Sequence, residues 1–510
     1  MEIDEHGYFI DSEGAGDREV YLKGDRDFLN TINWDKLALQ YRQKYQRHRV
    51  KESGSSYQYQ KVGIPIFPNS LNLRNYQNQA IANWLQNKGR GTLKMATGSG
   101  KTIIALAIAT ELYQQIGLQV LLIVCPYRHL VTQWSRECAK FNLRPIIAMT
   151  RVDNWQAELS IQLYNLRTND NSFLTIITTN STLISEGFQS QLKFFPAKTL
   201  IVGDEAHNLG STRLESSLPR TIGLRLALSA TPERQYDELG TDALLNYFGS
   251  IIKPEFTLAD AIKQRALVRY LYYPVFVQLT ASEALIYAQL TKRIGWILNK
   301  NSSLKANDNL TALLTKRSRL IGTAANKLTA LKELMLPRLD TSHTLFYCGD
   351  GYIKNNTAPY TRQIEAVTHI LGKQLGYRVN TYTTDTSIEE RERLRRQFEQ
   401  GELQGLVAIR CLDEGIDIPA IKTAIILASS SNPRQFIQRR GRILRPYPGK
   451  DQATLFDTIV IPPNLDRETW EVERNLLRKE LKRFITFAEL ADNAEQAISK
   501  LLKLQEQYKL

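Results

Sequence analysis

The stretch KMATGSGKTII, residues 94–104, separates the end of one segment from the start of an apolar, helix-like segment. Its part ATGSGKT has the glycines, the lysine and the hydroxyl residue of a phosphate-binding loop. Gly98 and Gly100 would let backbone amides approach phosphate oxygens, and the following helix would direct its positive dipole end at the anion. The strict loop pattern opens with a glycine, and Met95 stands there instead.

Each polar residue of this loop has an expected chemical role. Lys101 would reach the β- and γ-phosphates, and the Thr102 hydroxyl would bind Mg²⁺. The alternative is a glycine-rich turn that only caps a helix, but a Lys-Thr pair that opens an apolar helix favours phosphate binding. The residues expected to surround the nucleotide phosphates are Thr97, Gly98, Ser99, Gly100, Lys101 and Thr102.

A second candidate site lies in LIVGDEAHNLG, residues 200–210. An apolar strand that ends in two adjacent carboxylates would place Asp204 and Glu205 at the carboxyl edge of a parallel sheet, where ligands bind. Asp204 would hold Mg²⁺, whereas Glu205 would position and deprotonate an attacking water. His207 fits a surface or packing role better than a ligand role.

Short, β-branched, almost continuous apolar runs alternate with helix-like segments in two parts of the chain. This pattern predicts parallel sheets covered by helices on both faces, and hence an α/β protein with two sheet domains. The runs are VLLIVC (120–125), FLTIITT (173–179), TLIVGDE (199–205), RLALSAT (225–231), HTLFYCG (343–349), YRVNTYT (377–383), GLVAIR (405–410), TAIILAS (423–429) and ATLFDTIVI (453–461).

The predicted organisation has five parts. An accessory segment (1–70) precedes a first sheet domain (71–255), a helical linker region (256–340), a second sheet domain (341–462) and a charged helical tail (463–510). The linker region has helix periodicity and few strand signals. Tyrosines interleaved with basic residues in the accessory segment could stack on bases, or could simply pack inward from a surface helix.

Composition narrows the class of protein. The 66 basic and 52 acidic residues give a net charge of +14, which suggests a polyanionic partner, although a merely soluble basic surface would look the same. The apolar runs are too short to cross a bilayer. The four cysteines never form a C-x-x-C pair, which argues against a zinc ribbon or a disulfide framework. We therefore expect a cytoplasmic protein without a membrane partner.

DEAH (204–207) and LSATP (228–232), after the phosphate loop, resemble the motifs of superfamily 2 helicases and translocases. Other stretches follow in that family's order. LRNYQNQAI (73–81) resembles its adenine-reading element, which makes Gln77 the expected base contact. PYRHLVTQW (126–134) and TTNSTL (178–183) resemble segments that touch the nucleic-acid backbone, so basic and hydroxyl groups near Thr178 and Thr179 are expected to bind it.

The resemblance continues through the second half of the chain. FYCGD (346–350) resembles the start of the second motor domain, and RCLDEGIDIP (410–419) and QFIQRRGRILRP (435–446) resemble its last two motifs. The family implies that Asp417 contacts the nucleotide and that Gly415 permits close backbone approach. It also implies that Gln438 lies at the nucleotide.

The same resemblance assigns the arginines. By the spacing from Gln438 and Gly441, Arg442 and Arg445 would stabilise charge on the transferring γ-phosphoryl, an effect worth roughly 10³–10⁵ in rate. A solvated basic face is the alternative for an arginine run. Ser229 and Thr231 would relay the state of the γ-phosphate to the nucleic-acid surface. Hydrolysis would require two RecA-like domains to meet around ATP and Mg²⁺.

The implied function is an ATP-dependent helicase or translocase on nucleic acid, with DNA expected and RNA not excluded. LRNYQ, QW, LSATPER and the stretch 256–280 resemble XPB-like and restriction-type bacterial motors, which serve repair or restriction. The competing function is an ATPase switch that remodels protein–DNA complexes without unwinding. A purely structural DNA-binding protein would leave the whole catalytic set unused.

The sequence has no recognisable nuclease signature. We therefore expect no cleavage by this chain, with a nuclease or repair function supplied by a partner protein. The flanking segments 1–70 and 463–510 are the expected places for partner docking or DNA guiding. RNLLRKELKRF (474–484) has basic helical spacing that suits either role, and a solvated helix face explains it equally well.

Overall fold

The computed structural model divides the chain into two compact units, Met1–Leu258 and Ala259–Leu510. The residues it describes are 2–3, 9–10, 28–48, 62–149, 151–168, 172–234, 237–300, 308–353, 361–383, 386–409, 418–428, 440–461, 463 and 467–508. Within these ranges, no helix combines the length and the apolar character needed to cross a membrane.

Six parallel strands form the sheet of the first unit. They are β1 (Arg90–Lys94), β2 (Val120–Cys125), β3 (Ile146–Ala148), β4 (Leu174–Thr179), β5 (Thr199–Asp204) and β6 (Leu224–Ser229). Their spatial order is β1-β6-β5-β2-β4-β3. Strands β2, β4, β5 and β6 are buried along their whole length, as expected where helices cover both faces of a parallel sheet.

The helices of the first unit are α1 (Trp34–His48), α2 (Asn75–Gln86), α3 (Lys101–Ile116), α4 (Arg128–Lys140), α5 (Gln156–Arg167), α6 (Asn180–Leu183), α7 (Glu186–Leu192), α8 (Thr212–Ser216) and α9 (Glu238–Phe248). Short 3₁₀ turns lie at Val152–Asn154 and Ala206–Gly210. Helix α1 packs on α2, where the Tyr41 hydroxyl donates to Asn78 Oδ1 at 2.7 Å. This part of the predicted accessory segment is therefore integral to the first unit.

The second unit contains another six-stranded parallel sheet. Its strands are β7 (Arg269–Gln278), β8 (Thr344–Cys348), β9 (Val379–Tyr382), β10 (Gly405–Ile409), β11 (Thr423–Ile426) and β12 (Gln452–Ile461). The spatial order is β9-β10-β8-β11-β12-β7. Together, the two sheets confirm the predicted α/β class with two parallel-sheet domains.

Strand β7 differs from the sequence-based expectation, which assigned residues 256–340 a helical character. All ten residues of β7 pair with β12 at the edge of the second sheet. Alternate residues face opposite sides, and Tyr270 and Tyr272 are fully buried on one of them. An alternating, tyrosine-rich edge strand lacks the continuous apolar run by which the other strands were recognised. Pro274 is tolerated because an edge strand has one unpaired side.

The helices of the second unit are α10 (Leu258–Lys263), which spans the division between units, α11 (Ala281–Lys300), α12 (Asp308–Gly322), α13 (Asn326–Met335), α14 (Gln363–His369), α15 (Ile388–Glu399), α16 (Arg467–Ala488) and α17 (Ala494–Gln507). A 3₁₀ turn lies at Leu336–Arg338 and a π turn at Ile370–Gln374. Short antiparallel pairs join Glu2–Ile3 to Phe9–Ile10 and Tyr352–Ile353 to Thr361–Arg362.

The predicted helical tail packs against the second sheet. The Tyr270 hydroxyl donates to the Phe487 carbonyl at 2.6 Å, joining β7 to α16. The backbone N–H of Tyr272 donates to Asn493 Oδ1 at 2.8 Å, and Asn493 Nδ2 returns a bond to the Tyr272 carbonyl at 3.0 Å. Helices α16 and α17 therefore belong to the second unit, which limits the surface they could offer to a partner.

Candidate nucleotide site

The loop 95–100 joins β1 to α3 at the carboxyl edge of the first sheet. Gly98 and Gly100 have φ values of 86° and 81°, a left-handed conformation that glycine adopts without steric cost. A Cβ atom on Gly100 would lie 2.4 Å from Gln77 Nε2, so a larger residue would displace that side chain. The start of α3 therefore has the backbone geometry of an anion-binding helix terminus.

Two side chains of α2 hold this loop through a single carbonyl oxygen. The Tyr76 hydroxyl donates to the Ser99 carbonyl at 2.8 Å, and Gln77 Nε2 donates to the same oxygen at 3.1 Å. Gln77 Oε1 also accepts from the backbone N–H of Arg74 at 2.9 Å. Gln77 thus lies beside the phosphate loop and connects it to the chain before α2, while its contact with a base stays a prediction.

Met95 occupies the position where the strict loop pattern has glycine. Its side chain is 3% exposed and lies with Tyr76 and Phe256 around a small apolar cavity. Its backbone N–H donates to the Ser229 carbonyl at 2.9 Å, across to β6. Met95 is therefore a core residue that fixes the start of the loop.

The polar groups of the loop fit a phosphate. Lys101 Nζ donates to the carbonyl oxygens of Met95 and Ala96, at 3.1 and 3.3 Å, and so lies back over the loop. Within the described residues, Thr97 Oγ1 and Ser99 Oγ are buried and have no hydrogen-bond partner. Buried hydroxyls without partners carry a desolvation cost, which phosphate oxygens would relieve.

The two predicted carboxylates lie at the same sheet edge, since β5 is separated from β1 only by β6. Asp204 Oδ2 accepts from the indole Nε1 of Trp134 at 2.8 Å, and Oδ1 accepts from the backbone N–H of Glu205 at 2.9 Å. Glu205 has a φ of 43°, which is uncommon for a non-glycine residue. Proteins bind Mg²⁺ through one or two carboxylates together with substrate phosphates, and Thr102 with Asp204 suits that pattern.

His207 connects the carboxylate segment to the end of β6. Its Nδ1 lies 3.3 Å from Ser229 Oγ and 3.6 Å from Glu205 Oε2. Ser229 Oγ also accepts from the backbone N–H of Thr231 at 3.1 Å. His207 is 5% exposed, so it is a packing residue and not a surface residue. Arg234 adds a second connection, because its guanidinium donates to the His207 carbonyl.

The segment 178–183, predicted to touch nucleic acid, exposes only part of its length. Thr178 is fully buried and its hydroxyl donates to the Ala148 carbonyl at 2.9 Å. Thr179 is 4% exposed and caps α6, where its hydroxyl accepts from the Thr182 N–H at 3.3 Å. The hydroxyls of Thr178 and Thr179 therefore complete the local fold, and the expected contact of groups near them with nucleic acid stays a prediction. Ser181 is the exposed hydroxyl of this segment.

The second unit carries the predicted transition-state arginines on one short segment. Residues 440–443 form a helical turn, in which Arg442 is 6% exposed, and Arg445 follows it half-buried. Gly415, Asp417 and Gln438, the other nucleotide contacts expected of this unit, lie outside the described residues. Their positions therefore stay predictions.

Buried Arg440 anchors the beginning of that segment. Its guanidinium lies 3.6 Å from Asp457 Oδ2 on β12 and 3.1 Å from the centroid of the Phe487 ring on α16. Asp457 is fully buried and also accepts from the Tyr272 hydroxyl at 3.2 Å. This arginine therefore packs against the interior of the second unit.

Buried Lys450 anchors the end of the segment. Its ammonium donates to the carbonyl oxygens of Ile443 at 2.6 Å, Arg445 at 2.9 Å and Pro419 at 2.9 Å. Burial, together with the positive charges of Lys422 and Arg445, lowers the pKa of Lys450 to about 7. No motif in the sequence marks this lysine, because its partners are backbone carbonyls. Trp134, by contrast, is the last residue of the motif PYRHLVTQW, but the motif does not predict its contact with Asp204.

Comparisons with known proteins agree with this division of the chain. Residues 70–234 match the family described as type III restriction enzyme, res subunit, and residues 352–447 match the helicase conserved C-terminal domain. Neither match includes α1, α11, α12, α16 or α17.

Two curated relatives and one solved structure are similar over most of the chain. The DNA 3'-5' translocase XPB2 of Sulfurisphaera tokodaii is 27% identical over 409 residues, covering 79% of this chain and 84% of the relative. The DNA 3'-5' helicase XPB of Kineococcus radiotolerans is 25% identical over 403 residues, covering 78% and 61%. The structure of the ATP-dependent type ISP restriction-modification enzyme LlaBIII bound to DNA superposes with a TM-score of 0.54 at 18% identity. It covers 85% of this chain, which spans only 33% of that larger enzyme.

Proposed function

We propose that this chain, which belongs to the superfamily 2 helicases of XPB-like or restriction type, uses ATP hydrolysis to move along DNA. The observation that carries the proposal is the clustering of three elements at one edge of the first sheet. The phosphate loop, the carboxylate pair and the Ser229 segment follow β1, β5 and β6, which are neighbours. Catalytic groups gathered at the carboxyl ends of parallel strands are typical of a nucleotide site.

In this proposal the first unit binds and positions ATP. The start of α3 and Lys101 would hold the β- and γ-phosphates, and the unpartnered hydroxyls of Thr97 and Ser99 would complete the loop's contacts. Gln77 would contact the adenine. Thr102 and Asp204 would hold Mg²⁺, which would neutralise charge on the phosphates.

Glu205 is the proposed general base. Its carboxylate would orient the attacking water and accept a proton from it. The His207–Ser229–Thr231 connection gives this carboxylate a path of direct contacts to the segment after β6. We propose that loss of the γ-phosphate changes the position of Thr231 through this series of contacts.

The second unit would supply positive charge to the transition state. Arg442 and Arg445 are the proposed groups, with Gly415, Asp417 and Gln438 as further nucleotide contacts. Because positive charge counts most where negative charge develops, these arginines should affect turnover more than ATP binding.

DNA is the nucleic acid along which we propose that the protein moves, because the two XPB relatives are a DNA translocase and a DNA helicase. The net charge of +14 suits a polyanion. We place the protein in the cytoplasm, acting in repair or in restriction of foreign DNA with a nuclease or repair partner. An ATPase switch that never translocates would share every ATP-binding residue, so only a motion assay separates it.

The direct test compares ATP turnover with single-stranded DNA, duplex DNA and RNA at equal phosphate concentration. We expect DNA to raise turnover well above the rate without nucleic acid, with the stimulation falling steeply as salt increases. Purified Glu205→Gln protein controls for contaminating ATPases. Turnover that ignores every nucleic acid would contradict the proposal.

A further inference from the structure

Helix α4 spans the distance between a surface and the interior of the first unit. At its beginning, Tyr127 and Arg128 are exposed, and this stretch belongs to the segment predicted to contact nucleic acid. Six residues beyond Arg128, Trp134 is 1% exposed. A single rigid helix therefore carries both an exposed basic end and a buried indole.

The indole of Trp134 contacts the proposed Mg²⁺ carboxylate directly. Its Nε1 donates to Asp204 Oδ2 at 2.8 Å, whereas the other oxygen, Oδ1, is held by the Glu205 N–H. An indole N–H can only donate, and burial prevents this ring from turning away. Donors from two different elements, the Trp134 indole and the Glu205 backbone, therefore contact both oxygens and orient the carboxylate.

Two other buried tryptophans of the first unit, Trp155 and Trp84, provide a comparison. Trp155 is equally buried in the same unit, at 1% exposure, and its Nε1 has no hydrogen-bond partner among the described residues. Trp84 is also buried, and its Nε1 donates to the backbone carbonyl of Arg225 at 3.2 Å. Burial of an indole in this unit therefore does not by itself bring it to a carboxylate.

We propose that Trp134 is a positioning residue that couples nucleic-acid contact at the start of α4 to Mg²⁺ binding at Asp204. The inference rests on the proposed function, because it takes Asp204 as the metal carboxylate. A small displacement of α4 on binding nucleic acid would move the indole, and the carboxylate that it holds would turn with it. Hydrogen bonds to a metal ligand from a second residue commonly change metal affinity by about 10–100-fold.

The test compares Trp134→Phe with Trp155→Phe. Both variants remove a buried indole, but only the first removes a hydrogen bond to Asp204. Binding of a fluorescent ATP analogue is measured as Mg²⁺ is titrated, and ATP turnover is measured with and without duplex DNA. Thermal unfolding of both variants reports the cost of the lost ring.

We expect Trp134→Phe to raise the Mg²⁺ concentration needed for half-maximal nucleotide binding by about 10-fold or more, and to reduce the stimulation by DNA. Trp155→Phe should change neither property. Identical behaviour of the two variants, in a background where wild-type turnover responds to DNA, would overturn this inference alone. A wild-type protein whose turnover ignores DNA would overturn the proposed function and the coupling with it.

A second measurement remains decisive if Trp134→Phe does not fold. In the wild-type protein labelled with ¹⁵N-tryptophan, the indole N–H resonance that shifts in Asp204→Asn belongs to Trp134. Addition of Mg²⁺ with a non-hydrolysable ATP analogue should move that resonance, and duplex DNA should move it again. An indole resonance that is unaffected by either ligand would overturn the proposal.

Discussion

Other residues hold both the phosphate loop (95–100) and the arginine segment, which carries Arg442 and Arg445. The side chains that hold the loop are neutral, and those that hold the arginine segment are basic. Two neutral donors, Tyr76 and Gln77, hold the loop through the Ser99 carbonyl. Two buried basic side chains hold the arginine segment: Arg440 at its beginning and Lys450 at its end. The loop has the positive charge of Lys101 lying over it, whereas the arginine segment is held in part by Lys450, whose pKa of about 7 lets it lose its charge near neutral pH. The second arrangement should therefore depend on pH.

The largest expected effect on ATP turnover comes from removing the Arg442 guanidinium. Arg442→Ala should lower ATP turnover by about 10³-fold or more, because the guanidinium acts mainly in the transition state. ATP affinity, measured with a fluorescent analogue, should change much less. Arg442→Lys tests whether the side chain is needed only to fill its buried position, and the exposed Arg393→Ala is the surface control. Parallel losses of affinity and turnover would indicate a structural arginine.

Removing the proposed base should have the next largest effect. Glu205→Gln should reduce turnover by about 10²–10⁴-fold, since the amide cannot accept a proton from water. ATP should still bind, and the variant should retain DNA in the presence of ATP. The measurement is single-turnover hydrolysis alongside DNA binding, and an undiminished rate would exclude Glu205 as the base.

The phosphate loop is tested by Lys101→Ala. Turnover should fall by about 10²–10³-fold, which is typical for the loss of one transition-state donor. The fold should persist, because Tyr76 and Gln77 hold the loop through the Ser99 carbonyl independently of Lys101. Lys140→Ala, at an exposed position of α4, is the matched control. Hydrolysis at the wild-type rate would remove the site from this loop.

The smallest effect concerns Lys450 and pH. Its pKa is about 7 in the folded chain and 10.5 in an ordinary lysine, so between these values the unfolded chain binds the extra proton. The free energy of unfolding should therefore rise with pH above 7, by about 1–2 kcal/mol between pH 7 and 8.5. Below pH 7 both states are protonated and the contribution is constant.

Urea unfolding of wild-type and Lys450→Met proteins at pH 6.5 and 8.5 measures this contribution. Lys422, Arg445 and His343 interact electrostatically with Lys450, and burial lowers the pKa of His343 from its ordinary value. The wild-type protein should gain stability relative to the variant as pH rises. Equal pH dependence in the two proteins would show that Lys450 is not titrating there.

The sequence predicted the features that depend on local pattern. The continuous apolar strands, the glycine loop and the DEAH segment all lie where they were expected. It missed β7, whose tyrosines alternate between two faces. It predicted a helical tail where α16 and α17 lie, but not that these helices pack on β7. It also gave no sign that the hydroxyls of Thr178 and Thr179 bond within the first unit.

The remaining features depend on contacts between residues far apart in the chain. The Trp134–Asp204 bond and the three carbonyls around Lys450 join segments that carry no sequence mark of one another. Spacing identifies which residues a reaction needs. It does not identify the groups that hold those residues in place.

The central claim is that ATP hydrolysis moves this protein along DNA, and displacement of a third strand from a DNA triplex tests it most directly. The third strand is bound to a blunt-ended duplex, so it is displaced only if the protein moves along the duplex and reaches the triplex. We expect ATP-dependent displacement by the wild-type protein and none by Glu205→Gln or Lys101→Ala. Strong stimulation of ATP turnover by the same duplex without any displacement would contradict translocation and leave an ATPase switch.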